Sequence, residues 1–394
     1  MKEAPMAVPH LFRCPISLDL FTDPVTLCTG QTYDRPSIEK WLAAGNLTCP
    51  VTMQRLHDAT LVPNHTLRHL IDQWLRPGSR SYDHYLKIDP DLSLAALKHN
   101  LESGEVSPET KLQALERIAA LIEELPSKSC CLAQLGFLQV LLELLLGPAA
   151  DSRLAEEAVS CVLKLTPLSG MGALNLLRDE ARARAFLVQL EHGTAAVRAG
   201  LCRILEAAAA SPETQELCVY LGESPALLRA VVRVVKQSSE AAEAGARAIL
   251  AMCCSERNRR SLVREGAVDG LVTCIGSAQG GAAAAAAAAV AAIEPLMQLG
   301  AAKRALVGSP DGVKALVRMV FRVSDHEGSE SAVNCLMVVC CESAQAREKA
   351  ISAGVLTQLL LLMQSQCGSR TKIRARALLK LLKSMWAKEA ANGV

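Results

Sequence analysis

Aromatic residues are scarce, at 3% of 394 residues. Strands are enriched in aromatics, so the shortage argues against large sandwiches and barrels and favours helices packed with Leu, Ala and Val. An excess of one charge is also missing: 42 Lys and Arg stand against 40 Asp and Glu. A chain this balanced is not a general nucleic-acid binder by charge alone. Half the residues are hydrophobic and 21% are charged, which excludes disorder as the main state. The fifteen cysteines form no paired framework and no C-x-x-C motif. Several are adjacent (Cys130-Cys131, Cys253-Cys254, Cys340-Cys341) and most lie among Leu, Val and Ala. The opening Met1-Lys2-Glu3-Ala4-Pro5 has neither a signal-peptide run nor a myristoylation pattern behind it. A reducing compartment is therefore expected, with cysteine serving as a small hydrophobe. One stretch, Gly270 to Ile293, is uncharged and long enough to cross a membrane. Its glycines and alanines make it a poor span, and none is expected. Nucleophile elbow, P-loop and metal pair are all absent, so a self-contained hydrolase has no support.

What is present falls into two regions. At roughly 100–200 residues per domain, the length implies two to four units, or a small domain plus a repeat array. Seven of the twelve aromatics precede residue 86: Phe12, Phe21, Tyr33, Trp41, Trp74, Tyr82 and Tyr85. The remainder is rich in Ala, Leu and Val, and Arg76-Pro77-Gly78-Ser79-Arg80-Ser81 supplies linker breakers. A compact N-terminal domain to about residue 76 is expected, followed by a long helical region.

The long region repeats. A glycine followed by an apolar helical run recurs at Gly136, Gly222, Gly266, Gly312 and Gly354, at gaps of 86, 44, 46 and 42 residues. The first gap is a double one, which predicts a degenerate copy near Ala181 to Leu190. A period in the low forties with only helical patterns means an armadillo or HEAT-type solenoid. Within each repeat a short helix precedes the glycine (Asn258 to Val263), a second follows it (Val268 to Ile275), and a longer third comes after a turn. Third helices are predicted to begin near Pro108, Arg153, Thr194, Ser238, Gly281, Gly328 and Arg370. Three helices per repeat favour armadillo over HEAT. Ala282 to Ala289 reads as a tightly packed third helix, since alanine is the strongest helix former. The last helix, Arg370 to Trp386, carries Arg374, Arg376, Lys380 and Lys383 on one side and reads as a polar cap on the stack. An importin-like cargo receptor is disfavoured, because the only tryptophan after residue 75 is Trp386.

In the N-terminal region, Asp23 to Leu27 and Thr29 to Tyr33 predict a hairpin. Pro36 at a first helical position predicts a helix to about Ala44, ended by Gly45-Asn46. A second helix from about Asn64 places Leu67, Leu70, Ile71 and Trp74 on one face. Cys14, Cys28 and Cys49 are too widely spaced for zinc, and His65 and His69, four apart, lack a zincin glutamate. These residues and His57 are expected to be core or surface, not ligands.

Cys14-Pro15-Ile16, Asp23-Pro24-Val25, Gly30-Gln31-Thr32-Tyr33-Asp34-Arg35, Ile38-Glu39-Lys40-Trp41, Cys49-Pro50-Val51-Thr52 and Pro63-Asn64 occur in order over about 65 residues. Together they resemble a U-box, and with the repeats nearly the whole chain resembles the plant U-box ubiquitin ligases with armadillo repeats. The resemblance implies a mostly α chain: a small metal-free RING-like α+β U-box at 8–82, a linker at 83–92, and an armadillo solenoid of about seven units at 93–388. It implies no metal and no cofactor, side-chain hydrogen bonds and ion pairs standing in for zinc. It implies a ubiquitin-conjugating enzyme docked in a shallow groove, with Ile16 and Leu18 in a first loop, Trp41 on the helix and Pro50 in a second loop. A few apolar anchors suit a small transient contact. No covalent ubiquitin intermediate is implied; catalysis is proximity and orientation of the charged enzyme beside a substrate lysine.

The chain departs from the family at one position. Where related domains place a basic residue three after the loop proline, here stands Met53, and Arg55 is the candidate substitute for steadying ubiquitin. The expected partners are a conjugating enzyme and a protein substrate on the concave face of the repeats, with no nucleic acid and no transmembrane segment. Similar plant proteins act in defence and stress signalling in the cytoplasm, sometimes in the nucleus or at the plasma-membrane periphery. The alternative is a non-catalytic armadillo adaptor, against which intact Ile16, Trp41 and Pro50 argue.

Overall fold

A computed structural model describes residues 10–75, 94–124, 132, 135–147, 152–167, 170–237, 241–277, 283–322 and 326–392. The chain divides into two compact units, residues 1–93 and 94–394. The expected linker at 83–92 lies outside the described residues.

The first unit is built around a small antiparallel sheet. Strand β1 (Pro24–Thr26) pairs with β2 (Thr32–Asp34) in the register Val25 to Tyr33, and the turn between them passes through Gly30 at φ +80°. A third strand that the sequence did not reveal, β3 (Val62–Pro63), pairs with the other edge of β1. It is only two residues long, too short for an alternating pattern to register. Helix α1 (Arg35–Ala43) starts directly from β2 with Pro36 in its first turn, where the missing N–H costs nothing. Gly45, at φ +83°, follows it. Helix α2 (His65–Leu75) is capped by Asn64, whose side-chain oxygen accepts from the Leu67 N–H at 3.0 Å. Of its predicted apolar face, Ile71 is buried, Leu67 is half-buried and Leu70 is exposed; the Trp74 side chain lies outside the described residues. The core comprises Phe12, Cys14, Phe21, Val25, Leu27, Tyr33, Ile38, Cys49, Leu56 and Ile71.

The second unit is a stack of helical repeats. Its third helices are Pro108–Glu124, Ser152–Leu165, Ala195–Ala210, Ala241–Met252, Ala283–Leu296, His326–Glu342 and Ser369–Asn392. Third helices pack on third helices and second helices on second helices, so one apolar core runs through the unit. The predicted starts fall within a few residues of these helices. Thr194 is an N-cap accepting from the Val197 N–H, whereas Ser238 and Gly281 lie outside the described residues. The alanine tract is a packed third helix with Ala286, Ala289 and Ala292 fully buried. The charge-free stretch from Gly270 is divided between two helices, and no helix among the described residues is long and apolar enough to cross a membrane.

The recurring glycine proves to be three different devices. Gly136, Gly266 and Gly354 have φ of +76°, +82° and +84°, the left-handed turn between first and second helices that L side chains resist. Gly222 is instead the last residue of a first helix (Gln215–Gly222), kept small because a Cβ would lie 2.1 Å from the buried Asn258 amide oxygen. Gly312 opens a second helix, where a Cβ would lie 2.1 Å from the Leu306 carbonyl oxygen. The degenerate copy is the helix Glu180–His192, which has no glycine before it. Asp179 caps it instead, accepting from the Arg182 N–H at 3.0 Å.

The last unit explains its own basic side. Of the predicted basic side, Arg374 lies apart, paired with Glu330 and Asn334 of the preceding repeat, whereas Arg376 and Lys383 are exposed and, counting 43 residues back, correspond to the buried Val333 and Cys340. Positions that meet the next repeat inside the stack meet solvent at its end, and charge replaces apolar surface there. A salt bridge between neighbouring repeats such as Arg182 to Glu143 at 3.1 Å, exposed at both ends, contributes about 0–1 kcal/mol. Burial of the helical faces therefore holds the stack together.

Candidate docking surface of the N-terminal unit

Two ten-residue segments, 35 positions apart, fold the same way. In the first, Cys14 N–H donates to the Asp19 carbonyl and Leu18 N–H to the Cys14 carbonyl, both at 2.8 Å, with Phe21 N–H closing onto Phe12. In the second, Cys49 N–H donates to Gln54, Met53 N–H to Cys49, and Leu56 N–H onto Leu47. Single bridges flank each tip, Arg13 with Leu20 and Thr48 with Arg55. Leu18 and Met53 have φ of +62° and +58°, and no other non-glycine residue among those described has positive φ. Left-handed backbone at a bulky residue costs roughly 1–2 kcal/mol. Here it holds two apolar side chains outward, Leu18 at 66% and Met53 at 70% exposure. Strain retained at two matched, exposed apolar tips points to a binding role.

The sequence-derived site residues gather around these loops. Ile16 is half-buried against the core and Leu18 stands in solvent. Pro50 is half-buried and follows the neck residue Cys49. Trp41, half-buried on α1, donates from Nε1 to the Thr48 carbonyl at 2.9 Å, which fixes the indole against the neck of the second loop. Arg55 is exposed, in bridge register with Thr48. Sequence reading did not single out Leu47 and Val51, which are 55% and 49% exposed and extend the apolar surface of the second loop. The signal for Val51 was present in the repeated Cys-Pro-Ile-Ser-Leu and Cys-Pro-Val-Thr-Met.

Strand β2 holds both loops. Tyr33 is fully buried, and its hydroxyl accepts from the Val51 N–H at 3.2 Å while lying 3.0 Å from Cys49 Sγ. The next residue, Asp34, donates its N–H to Cys14 Sγ at 3.3 Å. The Asp34 carboxylate accepts from Thr22 N–H, Thr22 Oγ1 and Asp23 N–H at 2.7–2.8 Å. Asp23 in turn pairs with Arg35 at 2.6 Å and Arg68 at 3.3 Å, which ties both helices to the first loop. A network of hydrogen bonds and ion pairs thus links the loops to their frame.

The two neck cysteines are more than core filling. Burial pushes the Cys49 thiol up, but hydrogen bonds from Thr29, Thr52 and Tyr33 outweigh it and bring it down to about 6. Burial acts the same way on Cys14, where the backbone N–H of Asp34, Ser17 and Ile16 prevail and lower it. Cysteines buried in the repeats behave oppositely: desolvation drives Cys161 and Cys202 up to about 12, as expected of small hydrophobes. Cys28, His57, His65 and His69 are exposed.

A RING-like α+β unit with two apolar loop tips, followed by an armadillo-type stack, defines a U-box protein of the RING/U-box class of ubiquitin transferases. Residues 8–79 match the U-box domain and residues 95–392 match the plant U-box protein ARM repeat region. The chain belongs to the plant U-box family with armadillo repeats, and it is an E3 ubiquitin ligase by class. U-box domain-containing protein 26 of Arabidopsis thaliana is 31% identical, with 96% of this chain and 92% of that protein aligned. E3 ubiquitin-protein ligase PUB23 of the same plant is 26% identical over 96% and 93%. E3 ubiquitin-protein ligase SPL11 of rice is 39% identical over 41% of this chain and 24% of its own length. Among solved structures, an engineered protein superposes with a TM-score of 0.58 at 19% identity, covering 73% of this chain and 68% of its own. A chain from work on the cadherin and beta-catenin interaction gives 0.56 at 15% identity, covering 73% and 52%. These two show the repeat fold alone.

Proposed function

We propose that the two loop tips and Trp41 dock a ubiquitin-charged conjugating enzyme, and that the repeats hold the protein whose lysines are modified. The observation that carries this reading is the matched pair of strained loops, each presenting an exposed apolar tip, the second held against a half-buried tryptophan. Ile16 and Leu18 supply the first contact, Trp41 the floor and Pro50 the rigid edge of the second loop. No nucleophile is needed in the chain, because the thioester is carried in by the partner. The contribution of this chain is to hold that thioester near a substrate amine, and effective concentration does the rest. Arg55, exposed and two residues past the second tip, is the cation placed to steady ubiquitin in the absence of a basic residue at Met53. The resemblance carries the wider reading: regulators of defence and stress signalling are marked for degradation in the cytoplasm, with the nucleus and the plasma-membrane periphery as further locations.

The test is ubiquitin transfer in vitro by the full chain with a panel of charged conjugating enzymes. Ile16→Ala and Pro50→Ala are expected to abolish transfer while leaving the thermal melt unchanged. Transfer that survives both substitutions at equal stability would remove the docking assignment. Met53 favours a second reading, a non-catalytic adaptor. Failure of the wild-type chain with every conjugating enzyme would select it.

A further inference from the structure

The repeats are not evenly charged. Residues 94–224 hold eleven Lys and Arg against seventeen Asp and Glu, whereas residues 225–322 hold thirteen against seven. The sign changes along the stack where two clefts adjoin. The first, of about 290 Å³, lies between the helices Glu180–His192 and Pro225–Lys236 and is lined by Leu187, Leu227 and Tyr220. Tyr220 is 39% exposed there. The second, of about 690 Å³, is lined by Arg257, Arg260 and Arg264, and the two clefts share Glu223. The three arginines sit at i, i+3 and i+7 of the helix Glu256–Arg264, while its other face buries Asn258 and Leu262. Arg257 is held by Glu223 at 2.8 Å and Arg260 by Glu256 at 2.6 Å. A guanidinium has five N–H donors, so each anchored arginine keeps donors for another carboxylate.

We infer that this edge of the repeats, formed by first and second helices and separate from the face of the third helices, binds an extended protein segment. That segment carries one apolar anchor for the Tyr220 cleft, followed by acidic residues for the arginine cleft. The chemistry of the two clefts favours a protein over other polyanions. Glu223, Glu256 and Glu265 are interleaved with the arginines, which lowers attraction for a uniform phosphate lattice. A single aromatic gives no stacking ladder for bases. The apolar part is a cleft rather than a protruding wedge, so it suits a side chain and not insertion into lipid. Anchor plus charge is also how short segments gain selectivity: the apolar residue supplies most of the affinity and the charges set register.

The test uses binding alone and so stands apart from ubiquitin transfer. The full-length chain is panned against a random peptide-display library, and the enriched peptide is titrated by fluorescence anisotropy. Enriched peptides should share one large apolar residue next to at least two Asp or Glu. Affinity should fall by about tenfold or more in Tyr220→Ser and in the triple Arg257→Gln, Arg260→Gln, Arg264→Gln variant, with unchanged helical melts. It should be unaffected by Arg203→Gln and Arg247→Gln on the third helices. No enrichment, an acid-poor consensus, or loss of binding only in the third-helix variants overturns the inference. So does a single-stranded oligonucleotide or a phosphatidylserine vesicle that competes fully with the peptide and loses binding in the triple variant.

Discussion

Replacing Tyr33 with phenylalanine removes one oxygen and tests whether β2 sets the second docking loop. The ring is fully buried and would stay packed, so no cavity of consequence opens. The hydroxyl accepts from Val51 N–H and lies 3.0 Å from Cys49 Sγ, which in its thiolate form can only accept the hydroxyl's hydrogen. Val51 is half exposed, and its freed N–H finds water. Cys49 is fully buried and loses one of its donors without replacement. Thr29 and Thr52 still donate to it, so what is lost is one hydrogen bond, worth about 0.5–1.5 kcal/mol and more to a charged acceptor, and the loop should open at least about 2- to 12-fold more often. The measurement is hydrogen exchange of the full chain read by mass spectrometry over residues 47–56. Faster exchange is expected there, with the repeats unchanged and a smaller effect over residues 12–21. Transfer of ubiquitin should weaken through KM for the charged conjugating enzyme more than through kcat, because the loop is displaced and not removed. Wild-type exchange over residues 47–56 in Tyr33→Phe would refute the framing role outright.

Three further outcomes are expected. The Cys49 thiol is brought to about 6, so the folded domain binds fewer protons than the unfolded chain between that value and the ordinary thiol range of about 8.5. Its stabilising contribution is therefore complete above the ordinary range and lost as pH falls through about 6. The stability gap between wild type and Cys49→Ser, followed by exchange of the first unit, should shrink from pH 9 to pH 6, and a constant gap would contradict the assignment. Gly222→Ala should destabilise the repeats by about 1–3 kcal/mol through overpacking onto Asn258, visible as a lowered thermal midpoint. An unchanged midpoint would mean that Asn258 moves freely. Replacing Arg376 and Lys383 with valine should leave the fold intact but promote self-association, checked by sedimentation, because it restores the apolar face that the end of the stack lacks.

The repeat architecture was legible because its signal is redundant. A period in the low forties, amphipathic helices and seven third-helix starts all report the same stacking, and losing any one glycine leaves the rest. What was not legible is what each glycine does. Gly136 and Gly222 occupy the same slot in the pattern, yet one is a left-handed turn and the other a gap for Asn258 from the following unit. That difference is set by a residue 36 positions away, and no local window contains it. Strand β3 was missed for a related reason: Val62–Pro63 becomes a strand only because β1 has a free edge beside it.

In the first unit the legible part was chemical and the hidden part geometric. Motif order placed Ile16, Leu18, Trp41 and Pro50 near one another, but it gave no reason for a leucine and a methionine at matching positions. The structure supplies one. Each is the fifth residue of a loop whose neck cysteine accepts hydrogen bonds, and each is forced into left-handed backbone that points it outward. Glycine would relieve the strain at both positions. Its absence from both tips means that the side chain is worth more than the relief. A buried role is excluded by the exposure of both residues. What remains is contact with something outside the domain, and in the docking surface proposed above Met53 then stands as the counterpart of Leu18, not merely at a position vacated by a basic residue.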